Sequence, residues 1–120
     1  MDYQNFITIE SKYFKLFDNV LEDTKDTLAA MIFGKIIYEA LSQGTTQPIK
    51  SQISLAKELK VNKKTVSKKI HVLENLGYLT HQIEYIKKMK QDPIIEDRFY
   101  MDCEISTKFI LNSKAIEYLG

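Results

Sequence analysis

Hydrophobic residues between Asp26 and Gln43 recur at every fourth position, which is the spacing of one face of an α-helix. The stripe comprises Leu28, Ile32, Ile36 and Ala40, with Met31 and Phe33 widening it. Acidic residues suit the positive N-terminal end of a helix, and Gly44 is well placed to end it in a left-handed conformation. The pattern therefore predicts a helix that buries this stripe in the core.

A short helix is predicted after the loop formed by residues 44–48. Ser51 is a good N-cap for it, because a serine hydroxyl accepts hydrogen bonds from the first free backbone N–H groups. The pattern runs from Gln52 to about Lys60. The predicted buried side comprises Ile53, Leu55, Ala56 and Leu59.

A longer helix is predicted beyond Val61, over residues 62–76. Asn62 can cap its N-terminus, and Gly77 stands where a glycine commonly ends a helix. Its inward stripe comprises Val66, Ile70 and Leu73, spaced by four and three residues. The chain thus carries two helices joined by a tight turn.

After Gly77 the period changes to that of β-strands. The segments Tyr78–Lys87 and Arg98–Thr107 are rich in Tyr, Phe and Ile with partial alternation, which predicts two antiparallel strands. The connection from Lys88 to Asp97 is long for a hairpin and contains Pro93, so we interpret it as a flexible tip.

The two ends of the chain carry weaker patterns. Phe6–Ile9 and Tyr13–Phe17 are rich in β-branched and aromatic residues and predict a short strand, whereas Asn112–Leu119 predicts a short amphipathic helix. No repeat, low-complexity tract or linker divides the 120 residues, a length typical of one domain. The prediction is a single α+β domain over residues 1–120, mainly helical, with additional N- and C-terminal elements.

Charge is distributed unevenly although the formal net charge is only +1. Residues 50–90 hold ten lysines and three glutamates, whereas the segments before and after them each carry a net charge of −3. A basic middle between acidic ends indicates one local anionic partner.

The candidate chemistry is sparse. The chain has a single cysteine, Cys103, which fits a reducing compartment and, as a thiol, a half-buried strand position. It has no glycine-rich phosphate loop, no paired Cys or His spacing for a metal, and no signal peptide or membrane span. His71 and His81 are ten residues apart and are interpreted as ordinary surface or groove-lining histidines, not as metal ligands. We therefore expect a cytoplasmic protein that is not an enzyme and uses no cofactor or metal.

About thirty residues resemble the DNA-binding half of bacterial winged helix regulators. The resemblance is carried by Ser51, Gln52, Leu55, Ala56, Leu59, Val61, Asn62, Thr65, Val66, Ile70, Leu73, Gly77, Tyr78 and Leu79. It implies a helix-turn-helix at about 51–77, a two-stranded wing at about 78–107, and double-stranded DNA as the partner. Lys60 departs from the family pattern, which has glycine at this turn; a left-handed backbone here would cost about 1 kcal/mol.

The resemblance places the helix over 62–76 in the major groove and the wing on the adjacent backbone or minor groove. Lysines on this helix can contact guanine or phosphate, and hydroxyl groups suit phosphate oxygens or a thymine methyl. The candidate DNA-binding residues are Ser51, Asn62, Lys63, Lys64, Thr65, Ser67, Lys68, Lys69, His71, Lys87, Lys88 and Lys90. The nearby acidic residues Asp92, Glu96 and Asp97 partly neutralise the wing lysines Lys87, Lys88 and Lys90. For the helix, the alternative to DNA binding is a lysine face that is simply solvated.

The segment Tyr13–Leu21 and the long helix after it also look like small plasmid- and phage-borne winged helix domains, including the N-terminal domains of replication initiators and replisome organisers. A chain of this length fits a transcriptional regulator, or a plasmid or phage replication, partition or transfer factor. Such regulators commonly act as dimers, so a homodimer is expected. The alternative is a winged helix module that binds another protein and no DNA.

Overall fold

The computed structural model describes residues 17–119. The predicted strand at Phe6–Ile9, and the stretch Tyr13–Phe17 except its last residue, lie outside this range. The described elements are α1 (residues 17–24), α2 (Thr27–Gln43), α3 (Gln52–Leu59), α4 (Lys63–Asn75), β1 (Leu79–Gln91), β2 (Phe99–Leu111) and α5 (Ser113–Ile116). The α+β class is confirmed, but only about half of the described residues are helical, because the strands are longer than predicted.

Helix α2 forms the centre of the core. Its N-terminus is capped by Asp26, whose Oδ1 accepts the backbone N–H of Ala29, and its C-terminus ends at Gly44 with φ 64°. The predicted stripe is buried except for Leu28, which is half-buried. Met31 does not widen it, because it is 44 % exposed; Ala29, Ala30 and Ile37 are buried instead.

Helix α4 packs against both α3 and α2. The inward residues of α4 are fully buried, and Leu55 and Ala56 of α3 pack in the angle between the helices. The prediction for Ile53 was wrong: it lies in the first turn of α3 and is 50 % exposed. The predicted bounds of both helices and their caps at Ser51 and Asn62 are confirmed.

Strands β1 and β2 form a long antiparallel hairpin, in register from the pair Leu79–Leu111 to the pair Gln91–Phe99. The predicted strands ended too early, at Lys87 and Thr107. The segment predicted as a flexible tip continues β1 through Gln91, and the connecting loop covers residues 92–98. The extension arises because charged residues near the tip find cross-strand partners and because Phe109 and Leu111 are buried at the base.

The base of the hairpin is joined to the body by residues 46–50. The backbone N–H groups of Lys50, Phe109 and Leu111 donate to the carbonyls of Thr107, Pro48 and Thr46 at 2.9–3.1 Å. An isolated antiparallel bridge between Ile49 and Lys108 lies within this segment. Residues 46–50 therefore line the outer edge of β2 and fix where the hairpin leaves the helices.

The C-terminal element is shorter than the predicted helix over Asn112–Leu119. Helix α5 covers only Ser113–Ile116, and a turn follows it. Ala115 is buried against the core, and the Asn112 side chain donates to the carbonyl of Gly77, where φ is 83°. Among the helices of residues 17–119, none has the length and apolar character needed to cross a bilayer.

Candidate nucleic-acid interface

A three-residue turn, Lys60–Asn62, sets the angle between α3 and α4. Lys60 adopts the left-handed conformation, with φ 57° and ψ 43°. This allows the N–H of Val61 to donate to the carbonyl of Ala56 at 3.0 Å, and the N–H of Lys60 donates to the carbonyl of Lys57 at 3.3 Å. The left-handed backbone that the sequence left open at this non-glycine position is therefore present.

Asn62 and Thr65 bind one another at the start of α4. The side-chain oxygen of Asn62 accepts two hydrogen bonds from Thr65, one from its backbone N–H at 2.8 Å and one from its side-chain hydroxyl at 3.0 Å. Both side chains were predicted to contact DNA. The capping arrangement occupies the Asn62 oxygen, so its amide NH₂ is the group that this residue presents to an acceptor.

One face of α4 is exposed along its whole length. Lys64, Lys68 and His71 follow one another at intervals of four and three residues on the side opposite Val66, Ile70 and Leu73, and all three are exposed. Exposed Asn75 extends the same face by one turn. The sequence interpretation missed Asn75 although the four-residue spacing after His71 would have found it. Lys63 is exposed at the helix start.

Two further predicted contact residues are bound within the protein. The Ser51 hydroxyl caps α3 by accepting the N–H groups of Ile53 and Ser54. The Ser67 hydroxyl donates to the side-chain oxygen of Gln52 at 2.7 Å. Because these hydroxyls have structural partners, a DNA contact would have to share or displace them.

Lys69 is held on the flank of α4 by an ion pair. Its Nζ lies 2.6 Å from Oδ2 of Asp26, the residue that caps α2. Burial alone would raise the pKa of Asp26, but the Lys69 ammonium and the N–H of Ala29 outweigh this and lower it. Asp26 thus connects α2 to α4 and neutralises one lysine of the predicted site.

The hairpin lysines divide between its two faces. Lys88 and Lys90 share a face with Asp102 and Glu104 of the neighbouring strand. Lys88 lies 3.0 Å from Glu104, and Lys90 lies 2.9 Å from Asp102 and 3.4 Å from Glu104. Lys87 points to the opposite face, across from Cys103, which is exposed and not half-buried as predicted.

These cross-strand contacts shift the pKa values of three hairpin groups, Lys90, Asp102 and Glu104. The ammonium groups of Lys88 and Lys90 lower the pKa of Glu104, and Lys90 also lowers that of Asp102. The same carboxylates raise the pKa of Lys90. The neutralising acids are therefore Asp102 and Glu104, and not the loop residues Asp92, Glu96 and Asp97.

A small polar cluster joins the end of α4 to β1. Nδ1 of His81 is hydrogen-bonded to the carboxylate of Glu74, and Nδ1 of His71 lies 3.5 Å from the same carboxylate. The two imidazole rings meet edge to face, with centroids 5.8 Å apart. His71 is thus oriented toward the base of the hairpin. Residues 17–119 contain no group of three or more His, Cys, Asp and Glu side chains arranged to hold a metal ion.

Lysines without an ion pair are concentrated in one part of the described chain. Five exposed lysines between α3 and the middle of α4 have no carboxylate within 4.0 Å among residues 17–119. We call these residues the basic segment: Lys57, Lys60, Lys63, Lys64 and Lys68. By contrast, Lys50 just before α3 is paired with Glu39 and Glu58 at 3.2 and 2.8 Å.

No protein-family model, curated protein or solved structure matches this chain.

Proposed function

We propose that the chain is a winged helix-turn-helix protein that binds double-stranded DNA without catalysing a reaction. The observation that carries this proposal is the basic segment on and before the exposed face of α4. Five exposed lysines within residues 57–68 that lack carboxylate partners in the described part of the chain favour a polyanion over solvent, because each ammonium group can replace a condensed counterion on a phosphate.

The arrangement of elements supports the same proposal. The order of elements is that of a winged helix domain: a short helix, a tight turn and a longer helix pack on a core helix, and an antiparallel hairpin follows. Residues 46–50 along the edge of β2 correspond to the short strand that such domains place before the helix-turn-helix. In this arrangement α4 enters the major groove, whose width of about 12 Å admits an α-helix.

The described contacts narrow the proposed DNA-contacting set. Lys63, Lys64 and Lys68 provide phosphate or guanine contacts, and the Asn62 amide provides a hydrogen-bond donor at the helix start. Lys57 and Lys60 contact DNA phosphates on the side of the turn between α3 and α4. Lys69, Lys88 and Lys90 contribute less, because carboxylates already neutralise them.

The proposed affinity is largely electrostatic. Lysine binds phosphate as a point charge without the bidentate geometry of arginine. If four lysines each neutralise one phosphate, raising the salt concentration from about 50 to about 200 mM lowers the affinity on the order of 100-fold. The biological role of such binding is transcriptional regulation, or plasmid or phage replication, partition or transfer; selection of bound genomic fragments would distinguish these roles.

Fluorescence anisotropy with a random duplex at the two salt concentrations tests the proposal. Wild-type protein should bind at low salt and lose affinity steeply at high salt, and Lys64→Glu with Lys68→Glu should abolish binding while circular dichroism shows an unchanged fold. Lys68→Gln should weaken binding more than Lys35→Gln, which removes one charge from α2. Undetectable binding at low salt, or equal effects of Lys68→Gln and Lys35→Gln, would refute it.

A further inference from the structure

The two faces of the β1–β2 hairpin differ sharply in chemistry beyond its base. The register places the odd-numbered residues of both strands on one face and the even-numbered residues on the other. The even face carries the ion pairs of Lys88, Lys90 and Lys108 with Glu104, Asp102 and Glu84. The odd face carries an apolar stripe, which we define as Ile83, Tyr85, Met89, Phe99, Met101 and Ile105.

The apolar stripe continues the hydrophobic core but is not covered by it. At the base of the hairpin, the same face contributes Leu79, Phe109 and Leu111, all buried under the helices. Beyond the base, each residue of the stripe is between 47 and 68 % exposed. The described chain has a radius of gyration of 17.0 Å, compared with about 13 Å for a compact domain of this size. The outer hairpin therefore projects past the helices that bury its inner half.

An isolated two-stranded hairpin is marginally stable in water, and a contiguous apolar patch of several hundred Å² commonly marks an interaction site. We propose that the apolar stripe is a homodimer interface, in which two hairpins pack face to face across a two-fold axis. The two sheets would lie about 10 Å apart with their stripes interdigitated and their charged faces in water.

The exposed area of the stripe matches what a stable dimer requires. Aromatic side chains have roughly 150–250 Å² each, and Ile and Met have less, so the six residues exposed to these fractions present on the order of 600 Å² per chain, at the lower end of the ~600–1,000 Å² that each partner contributes to a standard-size interface. A two-fold interface needs only one self-complementary patch. The unbranched side chains of Met89 and Met101 adapt to such packing.

The one charged residue within the face is compatible with this packing. Lys87 lies opposite Cys103 on β1, whose outer edge is free within residues 17–119 because the sheet has only two strands there. Its methylene chain can cover apolar surface while its ammonium reaches water beyond the edge. The proposal concerns a different surface from the basic segment, and it holds or fails independently of DNA binding.

The test measures the oligomeric state of the full chain by sedimentation equilibrium. Wild-type protein should be a dimer with Kd at or below about 10 µM, as expected for a standard-size interface. Tyr85→Glu with Ile105→Lys replaces one cross-strand apolar pair by an ion pair, which keeps the hairpin paired but places charges in the interface. This variant should be monomeric and folded by circular dichroism.

The matched control, Thr80→Lys with Gln82→Glu, adds the same two charges to the even face and should remain dimeric. Alkylation of Cys103, the only thiol in the chain, gives a second measurement: the reaction should be several-fold slower at concentrations above Kd than below it. A monomeric wild-type protein, a dimeric Tyr85→Glu/Ile105→Lys variant, or an alkylation rate independent of concentration would each overturn the proposal. The proposal is also overturned if the protein is a monomer and its apolar stripe binds lipid vesicles or residues 1–16 of its own chain.

Discussion

Helix α4 and the hairpin each carry four lysines, yet the two regions differ in what those charges can do. On the hairpin, Lys88 and Lys90 face Asp102 and Glu104 across the strands at 2.9–3.4 Å. On α4, Lys63, Lys64 and Lys68 have no such partner among residues 17–119. A cluster of lysines in a sequence therefore indicates a polyanion site only where the fold leaves the charges unpaired.

The largest expected effect is a direct contrast between the two regions. Lys64→Gln with Lys68→Gln should weaken binding to a random duplex ten- to hundredfold and reduce the salt slope by about 2, because each lysine accounts for about one released counterion. Lys88→Gln with Lys90→Gln should change the affinity less than about twofold. Anisotropy titrations at several salt concentrations measure both. Equal losses for the two variants would contradict the distinction between paired and unpaired lysines.

The second effect concerns stability. Asp26→Ala removes the cap of α2 and the partner of Lys69 together, so it should lower the free energy of unfolding by about 1–2 kcal/mol. On the hairpin, Glu104→Gln should leave the urea midpoint unchanged, since its ion pairs are solvent-exposed. Urea denaturation followed by circular dichroism checks both variants. A larger loss for Glu104→Gln than for Asp26→Ala would reverse the comparison.

The pH dependence of Asp26 sharpens this contrast. Its pKa is lowered in the folded protein, so its charge stabilises the fold above about pH 4, and this contribution is lost as the pH falls through the folded value. Asp26→Asn retains a capping side chain. The stability difference between wild type and Asp26→Asn should therefore be greatest near neutral pH and shrink on acidification below pH ~4. A difference independent of pH would show that the carboxylate charge is not involved.

The smallest expected effect tests the turn. Lys60 has a left-handed backbone, so Lys60→Gly should relieve strain and raise the free energy of unfolding by about 0.5 kcal/mol. It also removes a charge from the basic segment, so DNA affinity should fall a few-fold. Lys57→Gly, within helix α3, should lower stability by about 1 kcal/mol. Thermal unfolding of wild type, Lys60→Gly and Lys57→Gly measures these differences. A loss of stability in Lys60→Gly would argue against backbone strain at Lys60.

Most of the helical part could be predicted from local pattern alone. The caps Ser51 and Asn62, the ends at Gly44 and Gly77, and the inward stripe of α4 all lie within a few residues of the structure they determine. The hairpin was predicted less well. Its length depends on pairs such as Lys90 with Asp102, which only the register brings together.

The candidate site shows the same limit. Exposure of Lys64 and Lys68 follows from the helical period, and the sequence was sufficient to place them. The bonding of Lys69 to Asp26 and of Ser67 to Gln52 joins residues from different helices. Such contacts depend on how the helices cross, which no local pattern specifies.

The hydrogen bonds from residues 46–50 to β2 also have a consequence for folding kinetics. They join segments separated by the whole of α3, α4 and β1, so the chain must close a long loop before they form. The crossing of α3 and α4 needs only short-range closure. Helix pairing should therefore precede attachment of the hairpin, and the rate of folding should be set by the arrival of β2 beside Pro48.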